Sequence, residues 1–222
     1  MLPGLIDAHV HVDDGSHGGL SQAISLGVTT VLEMWNSGGR LKAIKKIQRD
    51  DALDVADIRS AGTGATAPGG HPTRMGGPPF PTLTGPAEAQ AFVDARLAEG
   101  SDYVKIVYDD LAAILPKAVP MLHRTTLEAL VQAAHRRQRL AVVPVTSEQH
   151  AHDAIRAGAD GLVHLFFGSS ASSDFGQLAA RRRIFVIPTL STLYEACEPQ
   201  KAQPSSLTNG SVVSFDLNGR RP

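Results

Sequence analysis

Arg156-Ala157-Gly158-Ala159 joins a segment of helical spacing to a short β-branched run, and the same kind of junction occurs twice more in the chain. Ser25-Leu26-Gly27-Val28 and Ala98-Glu99-Gly100-Ser101 repeat the order of helix end, glycine and strand. A glycine at this place is typical of a helix C-terminus, and repeated helix-to-strand junctions are typical of parallel sheets with crossover helices. The pattern therefore predicts an α/β fold built from successive βα units.

Seven strands are predicted, which favours a (β/α)8 TIM-type barrel over an open sheet but leaves the barrel incomplete, with about seven βα units. The predicted strands cover residues 5–12, 28–34, 55–61, 103–108, 140–145, 161–166 and 184–190. We expect the barrel to occupy residues 1–197 and an irregular C-terminal tail to occupy residues 198–222. A loop rich in Gly and Pro, residues 65–85, is expected to cover the mouth of the barrel.

Composition narrows the class of protein. The chain has 222 residues, of which 42% are hydrophobic and 19% charged, as in ordinary globular proteins. A net charge of −1 without a basic stripe argues against nucleic acid as a partner. No apolar run has membrane-spanning length and no signal-peptide pattern is present, so no membrane partner is expected. Cys197 is the only cysteine, which excludes an internal disulfide and indicates a cytoplasmic protein.

Two histidines stand at the end of the first predicted strand, in the stretch Pro3-Gly4-Leu5-Ile6-Asp7-Ala8-His9-Val10-His11. Residues two apart on a strand project from the same face, so His9 and His11 are expected side by side. In a parallel barrel, functional residues lie at the carboxyl ends of the strands. The pair is therefore a candidate site for one metal ion.

Lys105 and His164 occupy other predicted strands. An ammonium group in a doubly buried strand is unfavourable unless its charge is compensated or removed. Lys105 therefore either reaches the barrel mouth or pairs with an acid, or it is a modified or deprotonated lysine beside a metal. His164, at another strand end, is either a hydrogen-bonded core histidine or part of the same site as His9 and His11.

The remaining candidates are less specific. His71 in the loop, Tyr108 and Trp35 could line a substrate site, although each could equally be a surface or packing residue. The end of the second strand offers Glu33 or Trp35.

Three further histidines are interpreted as lying outside the site. His150 and His152 repeat the two-residue spacing, but on a helix such residues do not share a face, so we expect solvated surface groups. His135 is interpreted as a packing residue, because the helix that carries it also presents Leu127 and Leu130.

Together these segments resemble the amidohydrolase superfamily of metal-dependent hydrolases, closest to its prolidase-like and imidazolonepropionase-like members. The resemblance covers about residues 3–191 and is carried by residues 3–11, Gly27-Val28-Thr29-Thr30-Val31, Lys105 and residues 158–164. It implies a (β/α)8 barrel that binds one or two divalent metal ions, usually zinc, and a small-molecule substrate.

The resemblance also implies a role for each candidate ligand. His9 and His11 would bind the first ion, Lys105 as a carboxylated lysine would bridge both ions, and His164 would bind the second. Carboxylation by CO₂ converts a buried cation into a bidentate anion, and imidazole and oxygen ligands suit zinc. Metal-bound water of lowered pKa would then hydrolyse a C–N bond, amide-type or related, while the metal polarises the carbonyl.

The sequence departs from the superfamily pattern in two places. A histidine is expected at the end of the fifth strand, where Pro144 stands and offers no metal-binding side chain. An aspartate is expected after an eighth strand, and Asp216 is only a weak substitute for it. These departures predict a truncated barrel with an incomplete centre.

Two alternatives to an active hydrolase follow. The first is a catalytically silent descendant, whose unclosed barrel would expose apolar surface and make a homo-oligomer possible. The second is a phosphoesterase barrel, which also opens with paired histidines. It is disfavoured because no Asp-His pair follows the second or third strand.

Overall fold

Seven short strands alternate with helices in the computed structural model, which describes residues 2–12, 17–36, 38–50, 53–75, 79–166 and 171–191. The strands are β1 (Leu5–Val10), β2 (Val28–Glu33), β3 (Asp57–Ser60), β4 (Val104–Lys105), β5 (Ala141–Pro144), β6 (Gly161–Val163) and β7 (Phe185–Ile187). The helices are α1 (His17–Ser25), α2 (Gly38–Asp50), α3 (Ala89–Glu99), α4 (Arg124–Arg136), α5 (Glu148–Ala157) and α6 (Phe175–Arg181), with a 3₁₀ turn at Pro86–Glu88. The predicted α/β class is confirmed.

All pairings between neighbouring strands are parallel. One sheet has the order β1-β2-β3 and the other the order β4-β5-β6-β7. A parallel bridge between Ala65 and Ile106 joins the segment after β3 to the end of β4. The strands therefore follow one another in chain order around the fold, as βα repetition requires.

Side chains from both sheets meet in one apolar interior. The cluster draws on all seven strands or the residues beside them: Ala8, Leu32, Met34, Ala61, Tyr103, Val142, Val163 and Ile187. Flat sheets could not bring these positions together, so the two sheets curve around a common centre. On the outside, Val93 of α3, Leu130 of α4 and Ile155 of α5 pack against β4–β6 in a second cluster. Leu20 of α1 and Ile44 of α2 cover β2 and β3 in a third.

The glycine junctions form as predicted. Gly100 caps α3 with φ 106° and Gly158 caps α5 with φ 91°, and each amide donates to carbonyls in the last turn. Gly27 also has a positive φ, 82°. Only glycine adopts this region without strain, which explains why the chain repeats it where helices end.

Several strands are shorter than predicted, for identifiable reasons. In the 103–108 run the pairing with β5 ends at Lys105: Ile106 N still donates to Val142 O, while Val107 N, on the opposite edge, donates to Ala65 O. β6 ends at Val163 because His164 has φ 67°, and the predicted 184–190 strand is interrupted by Thr189 at φ 44°. The two turns at His164 and Thr189 bring the His164 ring within hydrogen-bond distance of the Thr189 hydroxyl.

The 65–85 loop begins as core structure. Ala65 and Thr66 are buried, and Leu83 N donates back to Thr66 O. The predicted tail, residues 198–222, and with it Asp216, lies outside the described residues, as does Cys197. Among the described helices, none is long and apolar enough to cross a bilayer.

Candidate functional site

Three predicted histidines meet at the carboxyl ends of β1 and β6. The ring centroids of His9 and His11 are 5.3 Å apart, and those of His9 and His164 are 5.0 Å apart. Lys105 at the end of β4 lies close enough for its charge to act on both His9 and His164. The structure thus brings together His9, His11, Lys105 and His164, which the sequence places on three strands.

His164 is held by both its backbone and its ring. Its amide donates to Ile187 O at 2.9 Å, and its Nδ1 lies 2.6 Å from Thr189 Oγ1. This contact leaves Nε2 as the atom for a ligand. Burial, followed by the charge of Lys105, lowers the His164 pKa to about 4, so the ring is neutral at neutral pH.

His9 is also a neutral imidazole with an unused nitrogen. Its Nδ1 is buried and has no hydrogen-bond partner. Burial lowers the His9 pKa to about 2, with further contributions from Lys105, His164 and His11. A cavity of about 230 Å³ opens beside it, lined by Asp7, Ala8, His9, Ile187, Thr189 and Ser191.

Lys105 is 7% exposed, and burial lowers its pKa to about 8, against the opposing charge of Glu33. Glu33 is fully buried at the end of β2 and accepts hydrogen bonds from Trp35 N at 3.0 Å and from Ser60 Oγ. The sequence offered Glu33 or Trp35 at this strand end. In the structure, it is the Glu33 charge that acts on Lys105, while the Trp35 ring packs against Phe80.

The donor chemistry of this site fits a divalent metal. Two neutral imidazoles present nitrogen lone pairs, and a buried amine, once carboxylated, would add carboxylate-like oxygen ligands. The ligand atoms of His9, His11 and His164, however, do not all lie within 4.8 Å of one another. Among the described residues, this close spacing is found for one carboxylate and histidine group, formed by Asp109, Asp110 and His150.

The two predicted substrate-binding residues lie in different surroundings. His71 is close to Lys105 and Asp109, and burial followed by the Lys105 charge lowers its pKa. Tyr108 belongs to the core beneath α5, where its hydroxyl lies 3.5 Å from Asp153 Oδ2 and its ring meets His150 edge-on. Of the two, His71 joins the electrostatic environment of Lys105.

The interpretation of His150 and His152 as solvated groups is wrong. Their side chains are 14% and 17% exposed. His150 faces Asp109, while the His152 ring packs on Phe175 of α6. Residues two apart on a helix do point in different directions. Both side chains are nevertheless covered, because α5 has Asp109 on the side of His150 and Phe175 on the side of His152.

The interpretation of His135 as a packing residue is also wrong. Its side chain is 45% exposed, and its Nε2 lies 2.9 Å from Asp160 Oδ2. Asp160 also accepts from Ala141 N at 2.7 Å, so this contact ties the end of α4 to the start of β5.

Asp109 is the residue that the sequence interpretation missed. Its carboxylate is buried, with Oδ1 accepting from Thr146 Oγ1 at 2.8 Å and from Leu111 N at 2.9 Å. Its charge acts on both His71 and His164. The available signal was an acidic pair, Asp109-Asp110, directly after a buried strand.

Solved structures with the same architecture are known. A Xaa-Pro dipeptidase with bound methionine in its active site is 24% identical, with a TM-score of 0.67 over 86% of this chain and 54% of that one. Ochratoxinase of A. niger is 19% identical, with a TM-score of 0.74 over 87% and 53%. Molinate hydrolase is 21% identical, with a TM-score of 0.66 over 83% and 51%. The likeness confirms the predicted TIM-type barrel, of which the described residues form an unclosed part.

Sequence comparison leads to the same family. Uncharacterized proteins of Mycobacterium bovis and Mycobacterium tuberculosis are 26% identical over 201 residues, which are 87% of this chain and 51% of those proteins. The chain thus spans about half the length of the curated relatives it matches. A sequence model described as the amidohydrolase family matches residues 1–198. On this match, the chain belongs to the amidohydrolase family.

Proposed function

We propose that this chain acts as a metal-dependent hydrolase that cleaves a C–N bond, amide-type or related, in a small molecule. The observation that carries the proposal is the meeting of His9, His11 and His164 beside Lys105 at the carboxyl ends of parallel strands. In barrels of this kind, chemistry takes place at that face. The similar solved proteins are named as a dipeptidase, an ochratoxinase and a molinate hydrolase. These names agree with a hydrolase.

His9 and His11 would hold one divalent ion and His164 a second, and Lys105, once converted to a carbamate, would offer them oxygen ligands. Zinc is the proposed metal, because imidazole nitrogen and carboxylate-like oxygen both suit it. One or two bound ions would acidify a water molecule and polarise the substrate carbonyl.

The chain's own residues prepare this site. The low pKa values of His9 and His164 keep both rings neutral, so a proton does not compete for their lone pairs. The lowered pKa of Lys105 increases the fraction of its side chain that is a neutral amine at neutral pH. That amine attacks CO₂, an N–C bond forms, and one nitrogen proton passes to water, which leaves an anionic carbamate in place of a buried cation.

For the substrate we propose contacts from His71 and Tyr108. His71 is supported by its position in the field of Lys105 and Asp109. Tyr108 is supported by its place just after β4. Its hydroxyl, however, is turned toward Asp153. We further propose a cytoplasmic location, based on the single cysteine of the chain.

A catalytically silent protein is the second candidate, and Pro144 favours it. Pro144 is the last residue of β5, is buried, and pairs with Val163 immediately before His164. A histidine there would face the second metal, whereas proline supplies no ligand. Replacing it, Pro144→His, should raise the number of bound ions per chain if this assignment is right. The matched control, Pro116→His, adds a histidine at an exposed position and should not change that number.

The function is tested by assaying purified full chain, loaded with Zn²⁺, against a panel of dipeptides and N-acyl amino acids. Turnover that is lost in His164→Asn and kept in His135→Asn supports the hydrolase. Absence of turnover in protein that binds its metal stoichiometrically favours the silent candidate. Turnover that survives in both variants would place the chemistry outside this site.

A further inference from the structure

A second group of ligand-type side chains includes none of the four proposed metal ligands. Asp109 and Asp110 follow β4, and His150 stands in the first turn of α5. Each of the three offers one ligand atom, and these atoms lie within 4.8 Å of one another. Two carboxylates and one imidazole from separate segments therefore converge on a single point.

The Asp109 carboxylate has one oxygen that nothing in the protein satisfies. The residue is only 2% exposed, and the hydrogen bonds from Thr146 and Leu111 both go to Oδ1. Oδ2 is buried without a hydrogen-bond partner. A buried anionic oxygen is unfavourable unless a cation or a donor meets it, so this atom points to a missing positive partner.

His150 presents a second unsatisfied atom to the same place. Its Nδ1 is buried, makes no well-formed hydrogen bond, and lies 3.3 Å from Asp109 Oδ1, whose carboxylate raises the His150 pKa, so a metal ion would compete with a proton for this nitrogen. The ring is positioned before any ligand arrives, because His150 N donates to the capping hydroxyl of Ser147 and the Tyr108 ring packs edge-on against the imidazole. Asp110 is similarly fixed, since its Oδ1 accepts from Ala112 N at 3.0 Å.

We propose that Asp109, Asp110 and His150 bind a divalent transition-metal ion at a site that shares no ligand with the His9–His11 centre. Mixed carboxylate and imidazole ligands suit Mn²⁺ or Zn²⁺. The ion satisfies the orphaned oxygen and nitrogen together and fastens the loop after β4 to the start of α5. This inference goes beyond the proposed function and does not depend on it. The competing arrangement is an ion pair of protonated His150 with Asp109 and no metal.

Titration of the full metal-free chain with Mn²⁺, followed by electron paramagnetic resonance and by thermal unfolding, tests the site. Asp109→Asn keeps an oxygen that can accept from Thr146 and Leu111 but removes the charge. We expect this variant to bind one Mn²⁺ fewer per chain, or to bind it at least about tenfold more weakly, and to lose the Mn²⁺-induced rise in Tm.

His135→Gln is the matched control, since His135 forms a comparable contact with Asp160 at the surface, and it should bind Mn²⁺ as the wild type does. The double variant His9→Asn/His11→Asn should keep this ion, which separates the new site from the first centre. If Asp109→Asn does not fold, Asp110→Asn carries the same test, because its side chain is half-buried and its acceptor oxygen is kept. Unchanged Mn²⁺ binding in folded Asp109→Asn or Asp110→Asn, and in His150→Gln, would overturn the proposal in favour of the ion pair.

Discussion

Among single residues, the proposed metal site includes groups that position the candidate ligands as well as the candidate ligands themselves. The positive φ of His164 turns its side chain out of the strand direction, and Thr189 then fixes the ring through Nδ1. A sequence shows a histidine at a strand end but not its backbone conformation. The partner Thr189, 25 residues further on, could not be predicted for the same reason.

Replacing Thr189 tests this positioning role. Thr189→Val keeps the shape of the side chain but removes the hydroxyl that contacts His164 Nδ1, so metal affinity should fall about 10- to 100-fold. Isothermal titration with Zn²⁺ measures the change. Thr125→Val removes a similar hydroxyl, 2.9 Å from His123 Nδ1 at the surface, and should leave the affinity unaltered. Equal affinities in all three proteins would argue that His164 needs no such support.

Glu33 is expected to set the pKa of Lys105. The charge of Glu33 raises that pKa, so Glu33→Gln, which keeps an acceptor oxygen for Trp35 N, should lower it further below about 8. The neutral amine then prevails over a wider range toward lower pH. NMR titration of ¹³C-labelled lysine side chains in metal-free protein measures the shift. Glu148→Gln, a carboxylate that contacts Ser172 instead, should have no effect. A Lys105 pKa that stays the same or rises in Glu33→Gln would contradict the assignment.

At the scale of elements, the sequence predicted the helix ends better than the strand ends. Gly100 and Gly158 were identified because left-handed helix caps have a residue type of their own. The end of β4 was not, because the pairing with β5 stops after Ile106 N donates to Val142 O, and no residue type marks that place. The burial of His150 was missed for a related reason, since helical spacing gives directions but not neighbours.

The cap at Gly158 makes a prediction for α5. Gly158→Ala places a Cβ 3.7 Å from Val131 Cγ1, which is an ordinary contact, so the penalty comes from φ 91° alone. We expect the free energy of unfolding to fall by about 1–3 kcal/mol. Urea denaturation measures it. Gly85→Ala, at an extended φ of −166° and in open space, should change it by less than about 0.5 kcal/mol. A similar loss in both variants would show that the backbone conformation is not the cause.

At the scale of the whole molecule, the two sheets share one interior but leave apolar side chains on β1 and beside β7. Leu5 and Ile6 are 62% and 66% exposed, and Leu190 is 64% exposed. Exposed apolar groups in neighbouring elements favour association with a second copy. The predicted homo-oligomer is therefore a proposal that follows from this surface.

Sedimentation velocity over a range of concentrations tests self-association. We expect the wild type to sediment as a species larger than a monomer and Ile6→Lys to shift toward the monomer, because the charge cannot be buried cheaply against an apolar partner. Leu53→Lys changes a side chain that is 94% exposed in the turn before β3, and should sediment like the wild type. A wild type that remains monomeric at all concentrations would contradict the proposal.

We propose that His9 and His11, with Lys105 and His164, hold a divalent metal at the carboxyl ends of the strands. Metal content per chain, measured by mass spectrometry on purified wild type and on His9→Asn/His11→Asn, tests it most directly. We expect the double variant to hold at least one ion fewer per chain, and His123→Asn, which changes an exposed histidine before α4, to match the wild type. Equal metal content in the wild type and the folded double variant would contradict it.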